Sequence, residues 1–476
     1  MLNNIQEFYN ILPLVIIGAG ILISLIIDMF TKKSESVLSW ISVIVFIAAS
    51  LYSLATVNSI SILMQNMLAT GGIVNIFYFV FNFGAALVCL LSMDYLKKYG
   101  ASYGEFYLLV QISVLGMMLM AGAKDLLTIF LGLELMSISF YTLAGFNRKR
   151  ISANEAALKY FLLGAFATGF TLYGMALLYG TARTTSIDGI ISKFSQLSGN
   201  FLFVTGALLF LIGFSFKVAA FPFHMWVPDV YEGSATTISG LFSTGGKAAA
   251  FSAIIVTLGT IFSTGIPHIF TPYLAAISLL SMLFGSIVAI VQDNIKRMLA
   301  YSSIAHAGYM LIGFAAGNYD GIAGIIFYLT AYTFMNLGAF GIVSIIEGSD
   351  EANLSINSYA GLGTRRPLLA AFLSIFMFSL AGIPPFAGFF GKYYVFISAI
   401  ESGLTWLAII GVISSVISVY FYLRIVVIMY FRESEQEISY YKTRTGLLAV
   451  IISVLFVIIL GIAPGTVIGL ISSFLA

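Results

Sequence analysis

Charge is scarce in this chain. It has 476 residues but only 22 Lys and Arg and 20 Asp and Glu, so 9% are charged, where a soluble domain carries about 25%. A water-exposed surface cannot be built from so few, which excludes a soluble enzyme, a nucleic-acid binder and a disordered scaffold. A net charge of +2 leaves no footprint for a polyanion. Cysteine is nearly absent. Cys89 stands alone, which excludes an internal disulfide and an iron–sulfur cluster on this chain. The three histidines, His224, His268 and His306, lie too far apart in sequence to show a metal-ligand spacing. Gly18 and Gly20 lack the third glycine of a dinucleotide fingerprint, since Ile23 stands there, and they read as close helix packing. The first ten residues hold Glu7 and no Lys or Arg, so no cleavable leader is expected.

Apolar residues fill what charge leaves open, at 60% of the chain, with 15% aromatic. A bilayer-spanning helix needs roughly 20 mostly apolar residues. About fourteen such segments run in order: 11–30, 37–57, 73–95, 105–123, 126–146, 155–180, 201–221, 236–263, 272–292, 298–316, 321–346, 368–400, 404–431 and 446–472. No polar stretch could form a separate soluble domain, so 1–476 reads as one polytopic, all-α membrane domain. Loops after odd-numbered spans carry fourteen basic residues, among them Lys32, Lys33, Lys97, Lys98, Arg148, Lys149 and Arg150, and loops after even-numbered spans carry three, Lys124, Arg183 and Lys193. The positive-inside rule then puts the odd loops in the cytoplasm and both termini outside.

Five basic residues remain inside spans: Lys159, Lys217, Lys247, Lys392 and Arg424. An ionisable side chain at mid-membrane costs about 2.5–3.5 kcal/mol on insertion scales, so such residues are usually functional. Glu134 lies nine residues past Asp125, roughly 13 Å into the bilayer. Lys247 sits about eleven residues into its helix amid Ser243-Thr-Gly-Gly and Ala-Ala-Ala, small residues that admit a neighbouring backbone and water. An ammonium removed from water can trade its proton near neutrality. Lys217 stands one turn before Pro222, which breaks the helix, and its charge suits the carbonyls exposed at that half-helix end. Lys392 follows a second break, Gly382-Ile-Pro-Pro-Phe-Ala-Gly388. In lipid, broken helices persist only where they are enclosed or line a wet cavity.

The two breaks, in the seventh and twelfth spans, are about 160 residues apart. Spans four to eight (105–265) and nine to thirteen (270–431) form two five-helix units on this pattern. The odd helix count makes them inverted, an arrangement typical of transporters. Histidine as a residue type titrates near neutrality, so His306 suits a relay between the halves. His224 and Lys159 are secondary candidates, Lys159 because it lies one turn into its span and reaches the interface. Arg424 reads as a residue snorkelling to the basic face, and Asp28 and Asp94 as interface residues. Ser137, Ser243, Thr244 and Thr333 are hydroxyls able to line a water chain. Glu134, Lys217, Lys247, His306 and Lys392 thus mark a proton or cation path along the midplane, and nothing resembles a pocket for an organic substrate.

The run Phe221-Pro-Phe-His-Met-Trp-Val-Pro-Asp-Val-Tyr-Glu-Gly233 followed by Lys247 resembles the antiporter-like proton-pumping subunits of respiratory complex I. It is most similar to the subunit N branch of the NADH–quinone oxidoreductase family. Gly382-Ile-Pro-Pro-Phe-Ala-Gly-Phe-Phe-Gly-Lys392 fits that branch, where the M branch typically carries Glu at the position of Lys392. Asp293-Asn-Ile-Lys-Arg-Met-Leu-Ala-Tyr-Ser-Ser-Ile-Ala-His306 is shared more widely. The resemblance covers nearly the whole chain. It implies fourteen helices with the seventh and twelfth broken, a Glu134–Lys217 charge pair, a central Lys247 and a second-half Lys392. It also implies K-like and M-like neighbours and the lateral helix of an L-like subunit in the plasma membrane of a bacterium. NADH, flavin, iron–sulfur clusters and quinone belong to partner subunits on this resemblance, with no cofactor or metal on this chain.

The expected cycle is Coulombic. A signal from neighbours draws Glu134 away, Lys217 loses its anion, and its proton or its repulsion passes to Lys247, then through His306 to Lys392 and out. A unit charge about 4–7 Å away at an effective dielectric of about 20 is worth ~2–4 kcal/mol, enough to change a protonation state. The first rival is a subunit of a multisubunit Na⁺/H⁺ or K⁺/H⁺ antiporter without redox coupling. The second is a membrane brace with no ion path, against which the cost of four buried charges argues. A hydrogenase- or ferredoxin-linked complex is a third, since the electron donor leaves no mark on this chain.

Overall fold

The computed structural model describes residues 2–31, 33–259, 270–348, 353–433 and 442–475. Lys32, His268 and position 265, the expected end of the first repeat, lie outside them. The chain enters through α1 (Leu2–Phe30), α2 (Glu35–Ala55) and α3 (Gly72–Lys98), with a small hairpin, Ser61–Leu63 against Leu68–Thr70, between α2 and α3. Next come α4 (Gly104–Gly122), α5 (Leu126–Ala144), α6 (Ile151–Ala182), the half-helices α7a (Phe201–Lys217) and α7b (Trp226–Gly233), and α8 (Thr236–Thr257). The second stretch holds α9 (Thr271–Ile290), α10 (Ile295–Ala316), α11 (Tyr319–Ile346), α12a (Pro367–Ala381), α12b (Ala387–Glu401) and α13 (Thr405–Phe431). The chain closes with α14 (Arg444–Ile462) and the short α15 (Pro464–Ser473).

Among the described residues, twelve helices are long and apolar enough to cross a bilayer. The seventh and twelfth spans add the two remaining passes, each as a pair of shorter helices. Position in the bundle follows side-chain character. From Gly321 to Ile346 every residue of α11 is buried, so α11 forms the axis. By contrast α6 presents Leu158, Leu162, Phe166 and Tyr173 outward, and α13 presents Val412, Val416 and Tyr420, apolar surfaces suited to lipid. Inside, lipid offers no hydrophobic drive between helices, and small residues set their approach. A Cβ on Gly116 of α4 would meet the Gly132 carbonyl of α5 at 2.6 Å, and one on Gly132 would meet the Gly116 carbonyl at 2.7 Å. In the second stretch a Cβ on Gly285 of α9 would meet the Ala305 nitrogen at 2.6 Å, and one on Gly308 of α10 would meet Met282 at 2.7 Å. Gly20 is also a packing glycine, against Val45 at 2.6 Å, but Gly18 has open space around it.

The two five-helix stretches share further local devices. Asp125 caps α5 by accepting the Leu127 N–H at 2.8 Å, and Asn294 caps α10 by accepting the Lys296 N–H at 2.9 Å. Each capped end is strapped to the loop beyond the next helix. Leu126 N–H donates to the Thr185 carbonyl and Ile295 N–H to the Leu354 carbonyl, both at 2.9 Å. The first strap lies at an even-numbered loop and the second at an odd-numbered one, so they sit at opposite ends of the bundle. The loop 181–200 holds two short helices, Ile187–Ser192 and Phe194–Leu197.

The breaks differ in how their carbonyls are satisfied. After α7a, residues 218–225 leave the helix, and Ala219 takes a left-handed φ of 65°. Ala219 N–H and the indole Nε1 of Trp226 both donate to the Phe216 carbonyl, at 3.1 and 3.0 Å. After α12a, Gly382 turns the chain at φ 85°, a conformation glycine tolerates and Cβ-bearing residues resist. Pro384 and Pro385 then supply no N–H. A further irregularity lies within α8, where Phe242–Gly246 forms a π-turn just before Lys247. Such turns are often found at functional sites.

Candidate functional site

The helix breaks and the π-turn place four titratable side chains in the interior. Lys217, Lys247, His306 and Lys392 are each 5% exposed or less. Glu134, on α5, is half-buried, and its Oε1 accepts from the Thr168 hydroxyl of α6 at 2.9 Å.

Lys217 ends α7a. Its ammonium donates to Ser137 Oγ at 2.8 Å and to the Tyr141 hydroxyl at 3.2 Å, and lies 5.4 Å above the Tyr141 ring centre. Two expectations are corrected here. The half-helix carbonyl is taken by Trp226 and the backbone, so Lys217 does not cap it. Glu134 and Lys217 do not touch as an ion pair either. Ser137 and Tyr141 supply the direct contacts of Lys217, and Glu134 bonds Thr168. The reason is helical phase: Ser137 and Tyr141 stand three and seven residues beyond Glu134 on one face of α5, closer to the end of α7a. That spacing could have identified Tyr141 as well as Ser137 from sequence.

Lys247 is held by α10. Its ammonium donates to the Ser303 carbonyl, one turn from His306. The π-turn places Ser243, which accepts from Asn336 Nδ2 of α11 at 2.7 Å. Among the described residues, no hydrogen bond joins the Lys217 and Lys247 groups. Aromatic rings connect them: Tyr160 lies 4.9 Å from Tyr141 and 5.5 Å from Phe242, and Phe140 lies 4.6 Å from Phe242.

His306 is bonded at both ring nitrogens, Nδ1 to Tyr328 OH at 2.8 Å and Nε2 to Tyr422 OH at 3.0 Å. Tyr422 continues to Ser302. His306 stands one turn from Ser303, whose carbonyl holds Lys247, and lies 5.7 Å from the Tyr309 ring on which Lys392 rests. A neutral imidazole donates at one nitrogen and accepts at the other, so this chain of hydroxyl, ring and hydroxyl is suited to passing a proton. Tyr328 and Tyr422 come from α11 and α13, 22 and 116 residues away, and no local sequence signal marks them.

Lys392, on α12b, closes the second break. It donates to the Ala381 carbonyl at 2.8 Å, the Leu380 carbonyl at 3.2 Å and Ser415 Oγ at 2.8 Å. Its ammonium also lies 5.0 Å from the Tyr309 ring centre. A Cβ at Gly382 would meet Lys392 Cδ at 3.0 Å, so that glycine serves both the turn and the lysine. The cation satisfies a negative half-helix end, the role expected for Lys217 and found instead at its counterpart.

The secondary candidates lie off this line. Lys159 pairs with Glu155 and Asp229, both at 2.7 Å, and is partly exposed. It belongs to an ion cluster that the sequence reading did not identify. Arg297 of α10 reaches Asp229 at 3.0 Å and Glu232 at 2.6 Å, both on α7b, and Asn294 donates to Glu232 at 3.0 Å. His224 packs against Phe221 and Phe284, with ring centres 5.2 and 4.5 Å away, and no hydrogen bond ties it to the midplane groups. Arg424 pairs with Asp293 at 2.9 Å and reaches the Ile290 and Gln292 carbonyls, as a residue reaching the face of the bundle should. Also unforeseen is Glu347, fully buried at the end of α11, which accepts from Tyr99 at 3.0 Å and Thr236 at 2.5 Å.

Comparison with known proteins adds family to geometry. Residues 123–418 match the model of the "NADH:quinone oxidoreductase/Mrp antiporter, TM" family. NADH-quinone oxidoreductase subunit N of Trichlorobacter lovleyi is 46% identical over 467 residues, covering 96% of this chain and 94% of that protein. Among solved structures, a chain of respiratory complex I from Thermus thermophilus with bound aureothin is 31% identical at a TM-score of 0.82, covering 96% of this chain and 98% of that one. A chain of the Mrp complex from Dietzia has a TM-score of 0.87 at 18% identity, covering 99% and 97%, which speaks to the shared fold.

Proposed function

The chain belongs to the subunit N family of the NADH-quinone oxidoreductases and is a proton-translocating, multi-pass subunit of that complex's membrane arm, and from that premise we propose that Glu134, Lys217, Lys247, His306 and Lys392 carry the proton. The observation behind this reading is the succession of buried groups, Lys217 on Ser137 and Tyr141, Lys247 on the Ser303 carbonyl, His306 between two tyrosines, and Lys392 on the second break. Lys247 is the hub. A change in the position of Glu134 alters the field on Lys217, and the charge of Lys217 repels or releases the proton of Lys247. That proton moves along Tyr422, His306 and Tyr328 toward Lys392.

The finer assignments belong to the same proposal. The whole complex acts as a redox-driven translocase, with no redox chemistry on this chain. NADH, flavin, iron–sulfur clusters and quinone are assigned to partner subunits. Residues 105–265 and 270–431 are the two inverted repeats, a reading supported by the paired caps, straps, glycine contacts and breaks. K-like and M-like subunits and the lateral helix of an L-like subunit are its neighbours. The chain lies in the inner membrane of a bacterium with both termini outside, as the bias of basic loops suggests.

The test is to isolate the complex through a tag on this chain, reconstitute it, and follow lumen pH during NADH oxidation. Recovery with a redox module, and loss of pumping in Lys247→Ala, is the expected result. Unchanged protons per electron in that variant would sink the hub role. Recovery only with antiporter-like chains that exchange Na⁺ for H⁺ without a redox substrate would favour the antiporter instead.

A further inference from the structure

Two charged groups at the junction of α7b and α8 take no part in the path described above. Lys296, the second residue of α10, and Glu347, the residue after α11, are both fully buried. Lys296 donates to the Glu232 carbonyl at 2.8 Å and to the Ser234 carbonyl at 2.7 Å. Glu347 accepts from the hydroxyls of Thr236 at 2.5 Å, Tyr99 at 3.0 Å and Tyr95 at 3.3 Å. Tyr95 in turn accepts the Thr236 N–H at 3.2 Å. Only Ala235 separates the two grips in sequence. The segment 232–236 is thus held by α10 at one end and by α11 and α3 at the other.

Each charge is misplaced for its own helix. The helix dipole disfavours a cation in the first turn and an anion at the last, yet Lys296 opens α10 and Glu347 follows α11. Both suit the junction instead. Lys296 meets the carbonyls that end α7b, and Glu347 meets the first residue of α8, so each stands at the helix end that its sign favours. The junction leads on to Lys247. Between Thr236 and Lys247 lies the π-turn Phe242–Gly246, which is wider than an α-helical turn. Relaxing it by one residue would rotate the start of α8 by about 100° and slide it ~1.5 Å relative to Lys247. A start that is held cannot slip in this way. Helix α10 sets the spacing at both points, since Lys296 and Ser303 are seven residues apart, about two turns along one face. Lys296 bonds the Ser234 carbonyl, and the Ser303 carbonyl bonds Lys247.

We propose that Lys296 and Glu347 are positioning residues for Lys247: they clamp the α7b–α8 junction, keep the π-turn from winding into α-helix, and so hold the Lys247 ammonium against the Ser303 carbonyl. Neither residue carries the transported proton. Their effect reaches Lys247 along α8. Because α7b and α8 belong to the first five-helix stretch and α10 and α11 to the second, the clamp also fixes one stretch to the other at the segment that leads to the hub. The inference rests on the hub role of Lys247, and its test keeps the two separable.

The clamp is opened from either jaw in the assembled complex, by Glu347→Gln, which keeps the length and removes the charge, or by Lys296→Met, which keeps the stem and removes the ammonium. Two readouts are taken: coupled turnover in proteoliposomes, and the structure of the same complex by electron cryomicroscopy. Turnover should fall roughly tenfold or more, as for a displaced reacting group. Residues 242–246 should wind as regular α-helix, with the Lys247 ammonium off the Ser303 carbonyl. A role in stability alone lowers the yield or unfolding temperature of the complex and moves neither readout. A clamp needs both jaws, so either variant leaving turnover or the Lys247–Ser303 contact unchanged overturns the proposal. If a jaw variant does not assemble, Thr236→Val decides on the same two readouts, because it removes only the hydroxyl that joins α8 to Glu347. Lys247→Ala is run in parallel. Loss of pumping there with silent clamp variants removes this proposal alone, and normal pumping in Lys247→Ala removes both.

Discussion

The two helix breaks pose the same physical problem and solve it differently. At the first, the Phe216 carbonyl is satisfied by Trp226 and the backbone, which leaves Lys217 to hydroxyls and to the field of Glu134. At the second, Lys392 itself satisfies the Leu380 and Ala381 carbonyls. A lysine resting on hydroxyls near a carboxylate responds to the movement of that carboxylate. A lysine bonded to two carbonyls of a fixed helix end is tied to the fold. On the proposed path the first half receives the signal and the second holds the terminal charge.

Five experiments break or sharpen this contrast. The largest effect is expected for Lys247→Ala, which severs both halves at the hub: coupled pumping by the reconstituted complex should be abolished. Next is Lys392→Ala, which leaves two buried carbonyls short of a donor. It should both stop transport through this chain and cost about 1–3 kcal/mol of stability, read as earlier thermal unfolding of the purified complex. Lys217→Ala should impair pumping while costing less stability, because Ser137 retains its bond to the Leu133 carbonyl. Equal destabilisation by the two variants would erase the contrast.

Gly382→Ala should fall between them. It strains a left-handed turn by about 1 kcal/mol or more and presses on Lys392, so pumping by the reconstituted complex should fall. The smallest effect is expected for Trp226→Phe, which removes one hydrogen bond to Phe216 for about 1 kcal/mol and leaves both lysines in place. A small shift in unfolding temperature with near-normal pumping is the expected outcome. Loss of pumping there would mean that the first break is as tightly tied to its lysine as the second.

Much of this was legible in sequence because lipid imposes few solutions. Hydrophobic runs gave the spans, prolines gave the breaks, and the expense of buried charge singled out Lys217, Lys247, Lys392 and Glu134. Partnerships were harder to read. Lys159 looked like a span lysine but joined a surface cluster, since Asp229 and Arg297 come to it from 70 and 138 residues away. Glu134 was expected to form a charge pair with Lys217, but the α5 side chains that bond its ammonium are Ser137 and Tyr141.

The sequence alone determined which groups lie in the membrane, because composition and spacing settle what lipid will accept. It also determined the chain's family, through runs such as Pro228-Asp-Val-Tyr-Glu232 that persist as local strings. Only the tertiary structure decided what each group touches. His306 meets tyrosines from α11 and α13, Lys392 meets the end of α12a, and Lys247 of α8 meets the Ser303 carbonyl of α10. Hydrogen bonds act within about 3 Å and depend on direction, and helical phase and crossing geometry set both. Neither is written in the order of residues.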